Sequence, residues 1–358
     1  MNLAVFLAIG ESIEDFRKKG QDSLIINNNY HQYSKKFSKV YVFSYKDESL
    51  KFFSNVVVIP NKFRVHRYFY IFLIPLVHFT IIKRCDVIRA YQVTGGLTGL
   101  VGRVLLNKKY VVNYGYDYPR YALIEGKKIL AFILKLIEIP VLYYSSSTVV
   151  TAKNLIPTVR KYNSAVNFIP NGVNTSLFLP KKIKKTIDIL YVGRFEVQKN
   201  LDYIIKSCQL LKDYKLNVVF IGSGNLKLYL RTQAKVRKVN LKIISNISNR
   251  LLPRYYNKAK IFILPSQIEG NPKSLLEAMS CGLPVVGNRV MGISSIINSK
   301  NGLLFNNSVE SLVKKIEVLI RNKVLRYQLG KNARTTILNK YEVGKSFSKE
   351  ISLLKKYT

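Results

Sequence analysis

Two metal-ligating residue types are scarce in this chain. Its 358 residues hold three cysteines, Cys85, Cys208 and Cys281, and three histidines, at 31, 66 and 78. The cysteines are odd in number, far apart and without any CxxC or Cys/His spacing, which argues against a zinc site built from them and for free thiols in a reducing compartment. Carboxylates are also few: 20 Asp and Glu stand against 58 Lys and Arg, a formal charge of +38. Long apolar runs are missing too. The longest, at 68–82, interrupts its fifteen residues with Pro75 and His78 and falls short of the roughly 20 residues that span a bilayer. The opening residues Met1 to Gly10 carry no basic stretch ahead of their short apolar run. They read as a first strand, not a signal peptide. No repeat or low-complexity segment appears.

What is present suits a globular enzyme. Apolar residues make up 48% of the chain, and its length fits two domains of about 150 residues. The positive charge attracts polyanions, whether nucleic acid, anionic lipid or phosphorylated substrates. Part of the excess follows from a composition rich in Lys, Asn, Ile and Tyr, so charge names a class of partner and no mechanism.

Short apolar runs alternate with helical patterns. Strands are expected at 2–9, 39–43, 55–59, 86–91, 109–113 and 147–151, with helices around 22–37, 66–83, 97–106, 127–143 and 153–161. A second series follows: strands at 188–193, 217–222, 241–245, 261–265, 284–287 and 303–305, helices near 200–212, 225–238, 272–281 and 309–320, and a helical tail at 323–356. Alternation of this kind implies crossover connections and parallel sheets. The expected class is α/β, with two doubly wound domains whose ligands sit at the carboxyl edges of the strands. The join falls near the turn Pro170-Asn171-Gly172 and the basic run 181–185. The expected domains are 1–175 and 176–335, with 336–358 a helical tail that packs back on the first domain.

Three stretches carry chemistry. The richest is Pro265 to Val286, where a strand ends, a loop with Gly270 follows, and a helix opens near Pro272, a residue favoured in a first turn. The first-turn amides of Lys273, Ser274 and Leu275 form an anion site aided by the helix dipole. Glu277, one turn on, can accept hydrogen bonds from both hydroxyls of a ribose, and Glu269 stands in the preceding loop. The second stretch is Gly193-Arg194 to Lys199, two cations at the end of a strand, able to neutralise a leaving diphosphate. The third is 113–118, where Asp117 could meet a sugar hydroxyl and Tyr114, Tyr116 and Tyr118 a sugar face. Gly10 ends the first strand and permits close approach of a ligand to the backbone. Each stretch alone is also compatible with ordinary helix starts, solvated loop charges and surface turns.

Together they resemble the retaining glycosyltransferases of family four, also called glycosyl transferases group 1. The resemblance runs through most of the second half. Its E-x7-E element appears as Glu269 and Glu277, its Gly-Arg…Lys element as Gly193-Arg194 and Lys199, and its interdomain segment as Ile169-Pro170-Asn171-Gly172-Val173. Asn301-Gly302-Leu303-Leu304 follows. The first half matches more loosely, through Asp86-Val87-Ile88-Arg89 and Gly95-Gly96-Leu97. Where many relatives carry a His, this chain has 114–117; Gly10 stands where a Gly-Gly pair is common; Asn271-Pro272 replaces a frequent Phe-Gly. These departures leave the sugar and the acceptor open.

The resemblance implies a GT-B fold, two Rossmann-like domains facing a central cleft. It implies that Arg194 and Lys199, with the Ser274 and Leu275 amides, bind the donor diphosphate, that Glu277 holds the ribose, and that Glu269 contacts the transferred sugar. The expected reaction moves a hexose, with retention and without a metal, from a nucleotide diphosphate-sugar to a saccharide or lipid-linked saccharide in cell-surface polysaccharide or glycolipid synthesis. A UDP-sugar ranks ahead of GDP-mannose. The cations Lys62, Arg64, Arg67, Lys83 and Arg84 flank the 68–82 run, an arrangement that fits either a core helix or one lying on an anionic membrane. The expected location is cytoplasmic, at the inner face of the cell membrane. The rival readings are a nucleic-acid-binding protein, which lacks a helix-turn-helix, zinc-finger or RNP-like element, an epimerase or phosphorylase on the same fold, and an inactive binding relative.

Overall fold

The computed structural model describes the chain apart from residues 19, 21–24, 116 and 246 and the side chains of 27 and 28. Part of the helix expected over 22–37 and the candidate sugar-facing Tyr116 lie outside the described residues. The chain divides into two compact units, Met1–Pro170 with Ser346–Thr358, and Asn171–Lys345.

The first unit is built on a seven-stranded parallel sheet ordered β3-β2-β1-β4-β5-β6-β7. Its strands are β1 (Asn2–Phe6), β2 (Lys39–Phe43), β3 (Val56–Ile59), β4 (Val87–Ala90), β5 (Tyr110–Tyr114), β6 (Ser147–Val150) and β7 (Val166–Phe168). Strands covered on both faces read as unbroken apolar runs, and every residue of β4, β5 and β6 is buried. The last strand, β7, has no counterpart among the expected strands. It is three half-buried residues, Val-Asn-Phe, whose alternation is too short to register.

Helices Arg67–Val77, Gln92–Leu106 and Lys128–Tyr143 form one layer over this sheet, sharing a core with Phe6, Ile88, Val112 and Tyr114. Gly96 lets the middle helix come close: a Cβ there would lie 2.5 Å from Val141 and 2.9 Å from Val112. Tyr110 Oη donates to the Val141 carbonyl at 2.6 Å and pins the third helix. The helix expected over 66–83 is broken into Arg67–Val77 and Phe79–Lys83. Pro75 supplies no amide to the preceding turn, and His78 leaves the helical region at φ −107° and ψ 27°. This segment is neither a buried core helix nor wholly exposed: Tyr70, Ile71 and Ile74 face inward while Phe69, Phe72 and Leu76 face out.

The second unit holds a six-stranded parallel sheet, β10-β9-β8-β11-β12-β13. Its strands are β8 (Ile187–Val192), β9 (Val218–Ile221), β10 (Leu241–Ile244), β11 (Ala259–Leu264), β12 (Val285–Asn288) and β13 (Leu303–Phe305). Leu312, Ile316 and Leu319 repeat at helical spacing along Val309–Arg321 and are fully buried, each contributing about 1.5–3 kcal/mol by leaving water. Ser308 caps that helix by accepting from the Ser311 amide.

The tail expected over 323–356 is two helices, Lys323–Lys340 and Val343–Lys355. Between them Val173 donates to the Tyr341 carbonyl at 2.8 Å and accepts from the Val343 amide at 3.0 Å, so residues up to Lys345 belong to the second unit. Only Ser346–Thr358 returns to the first. It is held there by Glu350, which accepts from Arg89 Nε at 2.7 Å and from the Tyr33 hydroxyl. Arg89 sits in β4 and is 3% exposed, so Glu350 is the counter-ion of a buried cation.

Candidate functional site

The second unit gathers most of the candidate residues at the carboxyl edge of its sheet. After β8 the chain turns at Gly193, with φ +156°, and a Cβ there would strike the Tyr191 hydroxyl at 2.6 Å. The same hydroxyl donates to the Arg194 carbonyl at 2.9 Å and fixes the turn. A Cβ on Gly222, at the end of β9, would lie 1.9 Å from the Gly193 carbonyl oxygen. Two backbones therefore touch where their strands end, which only glycine permits.

Beyond this turn Arg194 is half exposed, and its Nη1 pairs with Glu196 Oε1 at 2.8 Å. Lys199 behaves differently. The short turn Val197–Lys199 buries it, and its Nζ meets Glu269 Oε1 at 2.6 Å. That oxygen also accepts from Ser266 Oγ at 2.7 Å. The Gln267 amide donates to the Gln198 carbonyl at 2.9 Å, joining the loop after β8 to the loop after β11. Gly292 closes over Glu269 from outside, since a Cβ there would lie 2.1 Å from the Glu269 carbonyl oxygen.

The loop after β11 leads into helix Lys273–Ser280, whose N-cap position is Pro272 and whose first turn receives no side-chain cap. The amides of Ser274 and Leu275 therefore face the loop with the positive end of the helix dipole behind them. The Leu275 side chain is fully buried in the core, so this residue can serve a ligand only through its backbone. Asn171, of the Pro-Asn-Gly turn, props the loop in place. Its amide donates to Asn271 Oδ1 at 3.0 Å and its Nδ2 to the Asn271 carbonyl at 2.7 Å.

Glu277 lies inward of this first turn, 7% exposed. Its Oε2 accepts from the Tyr256 hydroxyl at 2.9 Å. Burial pushes its carboxyl up from 4.5 to about 7, against the opposing pull of Tyr256, Lys273 and Asn249. Asn249 is itself buried, and its Oδ1 has no partner among the described residues. An unpaired acceptor beside a carboxylate is a suitable place for the hydroxyl groups of a ligand, because leaving it empty costs about 1–3 kcal/mol. Sequence reading missed Ser266, Tyr256 and Asn249. Ser266 stands three positions before Glu269 at the end of a strand, a usable signal, whereas Tyr256 and Asn249 reach Glu277 from another helix and loop with no fixed spacing.

Two candidates belong to the first unit. Gly10 has φ +74°, and a Cβ there would lie 2.8 Å from the Arg67 side chain. Asp117 caps helix Tyr118–Ile124 by accepting from the Arg120 amide at 3.1 Å. The expectation that 113–118 offers several tyrosines to a sugar fails at Tyr114. It is fully buried and its hydroxyl donates to Glu138 at 2.9 Å, because the last position of β5 faces the helical layer. The three thiols are buried, and burial pushes each up to about 12, far from reactive.

The chain is similar to known proteins. Residues 176–336 match the family model described as glycosyl transferases group 1. An uncharacterized glycosyltransferase of Haemophilus influenzae is 32% identical over 194 residues, covering 52% of this chain and 55% of its own. The Escherichia coli UDP-Gal:alpha-D-GlcNAc-diphosphoundecaprenol alpha-1,3-galactosyltransferase is 28% identical over 210 residues, covering 51% and 52%. The chain thus spans about half the length of the curated relatives it matches. Among solved structures, Anabaena HepE in complex with UDP-glucose superposes with a TM-score of 0.79 at 14% identity, covering 99% of this chain and all of the other. Residues 176–336 are therefore a glycosyl transferases group 1 domain, carried in a chain with the two-sheet GT-B fold.

Proposed function

We propose that the whole chain is a retaining glycosyltransferase that moves a hexose from a UDP-sugar to a saccharide or lipid-linked saccharide acceptor during synthesis of a cell-surface polysaccharide or glycolipid. The observation that carries this reading is the convergence of Lys199, Glu269, an uncapped helix start and Glu277 at one edge of the second sheet. A nucleoside diphosphate matches that edge group by group. The ribose hydroxyls donate to Glu277 and meet the open Asn249 oxygen, and the diphosphate takes the amides of Ser274 and Leu275 with the cations of Lys199 and Arg194.

As the glycosidic bond stretches, negative charge grows on the leaving phosphate. Fixed cations and amides stabilise that charge more in the transition state than in the ground state, which is what accelerates the step. Arg194 and Lys199 do here the neutralising work that a divalent cation does in other transferases. Glu269 holds Lys199 in place until the donor arrives and lies where the transferred sugar would sit. Asp117 is assigned to a sugar hydroxyl and Gly10 to close approach of a ligand to the backbone. The E. coli relative acts on a diphosphoundecaprenol-linked sugar, which supports a lipid-linked acceptor and a working position at the inner face of the cell membrane.

Each of Lys199→Ala and Arg194→Ala should lower sugar transfer at least tenfold, since one preorganised donor of this kind is worth about 3–4 kcal/mol. The assay is nucleotide release from UDP-sugars with membrane lipid extract as acceptor source. Near-normal rates in both variants, each with an unchanged melting temperature, would remove the assignment.

A further inference from the structure

The outward side of the helical layer over the first sheet carries apolar side chains that the fold leaves in water. Helix Lys128–Tyr143 buries Ala131, Val141 and Leu142. On its opposite side Ile129 is 79% exposed, Phe132 65%, Leu136 55% and Tyr143 64%. A helix apolar all round belongs inside something, yet this one lies on the surface of its unit. Its 16 residues extend about 24 Å at 1.5 Å each, less than the roughly 30 Å of a bilayer core, and none of the described helices is long and apolar enough to cross a membrane.

The patch extends across the layer. Helix Gln92–Leu106 packs between Lys128–Tyr143 and Arg67–Val77 and exposes Val104 and Leu105. Helix Arg67–Val77 adds Phe69, Phe72 and Leu76. Monomeric proteins rarely show so much apolar surface together without using it.

Around helix Arg67–Val77 the rim is of one sign. Lys62, Arg64, Arg67, Lys83 and Arg84 are exposed around the first helix, and no carboxylate occurs from Asn61 to Cys85. The carboxylate of helix Lys128–Tyr143, Glu138, is 1% exposed and turned inward to Tyr114 and Lys135. The outer side of that helix thus carries no negative charge. A second copy would bring identical positive rims face to face, which opposes a symmetric dimer. An anionic bilayer supplies the complement: acyl chains for the apolar patch and phosphates for the rim.

We propose that this layer is a lipid-binding face on which helix Lys128–Tyr143 lies in the plane of an anionic membrane, with Ile129, Phe132 and Leu136 among the acyl chains. The proposal gives the acceptor side of the proposed enzyme its membrane contact, resting on that reading only for its purpose. Vesicle binding is independent of turnover.

The chain contains no tryptophan, so Phe132→Trp installs a lone tryptophan whose emission is excited apart from that of the 24 tyrosines. Mixed with phosphatidylglycerol/phosphatidylcholine vesicles, its emission should shift to the blue and be quenched by bromine-labelled acyl chains. The triple variant Ile129→Ser, Phe132→Ser, Leu136→Ser should lose at least tenfold in vesicle partitioning while keeping its melting temperature, because the three side chains are exposed. Unshifted emission with co-sedimenting protein would mean charge attraction alone and overturn the proposal. A lipid-independent blue shift that grows with protein concentration, with dimers in sedimentation, would assign the face to self-association and overturn it too. Loss of UDP binding with intact vesicle binding would count against the proposed function and leave the lipid face standing.

Discussion

Glu277 makes the sharpest quantitative test. Burial raises its carboxyl from 4.5 to about 7 in the empty site, so near neutrality half of the molecules hold a proton there. Folding favours that proton. The stability it confers is complete below about 4.5 and is lost as pH rises through about 7, a difference of about 3 kcal/mol. Binding has the opposite sign. Ribose hydroxyls donate to a carboxylate, so a bound nucleotide selects the charged form and expels the proton. One pH unit below 7 about one site in ten is already charged, and UDP affinity should be about tenfold weaker than at pH 8, or about 1.4 kcal/mol. Titration calorimetry in buffers of different ionisation enthalpy should find nearly one proton released per UDP at about pH 6 and almost none at about pH 8. The terminal phosphate titrates near pH 6 as well, so Glu277→Gln supplies the baseline. In that variant the protein's share of proton release vanishes. Tyr256→Phe removes the hydrogen bond that favours the charged form and should move the midpoint upward. The same proton release in wild type and Glu277→Gln would refute the reasoning.

Two further outcomes follow from geometry. Glu350→Ala leaves Arg89 buried without its counter-ion, which should destabilise the first unit by about 3–5 kcal/mol, whereas the double replacement Arg89→Met, Glu350→Leu should recover most of the loss in thermal denaturation; equal losses would show that packing, not charge, holds the tail. Gly222→Ala puts a methyl group 1.9 Å from the Gly193 carbonyl and should push apart the loops after β8 and β9. The expected result is a cost of about 1–3 kcal/mol and weaker UDP binding by calorimetry, and unchanged affinity would show that this contact does not shape the diphosphate site.

The sheets were legible because parallel strands bury both faces and write continuous runs such as Ile187–Val192. The same logic hides short elements. Helices Ile13–Lys18, Tyr118–Ile124, Leu252–Lys258 and Met291–Ser294 are two turns or fewer, too brief for a period of 3.6 to emerge. In the second unit the residues with fixed spacing, Glu269 and Glu277, could be singled out from sequence, as could Arg194 and Lys199. Their long-range partners could not: Tyr256 meets Glu277 across 21 positions, and Asn249 reaches it from a loop with no fixed spacing. The outward face of Lys128–Tyr143 was hidden for a different reason. A run apolar on every side reads as core until the neighbours that would cover it can be counted.

The path of the chain has a consequence for how the protein is made. Asn171–Lys345 is continuous, but the other unit takes its last helix from Ser346–Thr358. On the ribosome Arg89 emerges some 260 residues ahead of the carboxylate that neutralises it, since the two are 261 positions apart. The half synthesised first is therefore finished last, its buried guanidinium gaining a counter-ion only after the whole of the other unit has been synthesised.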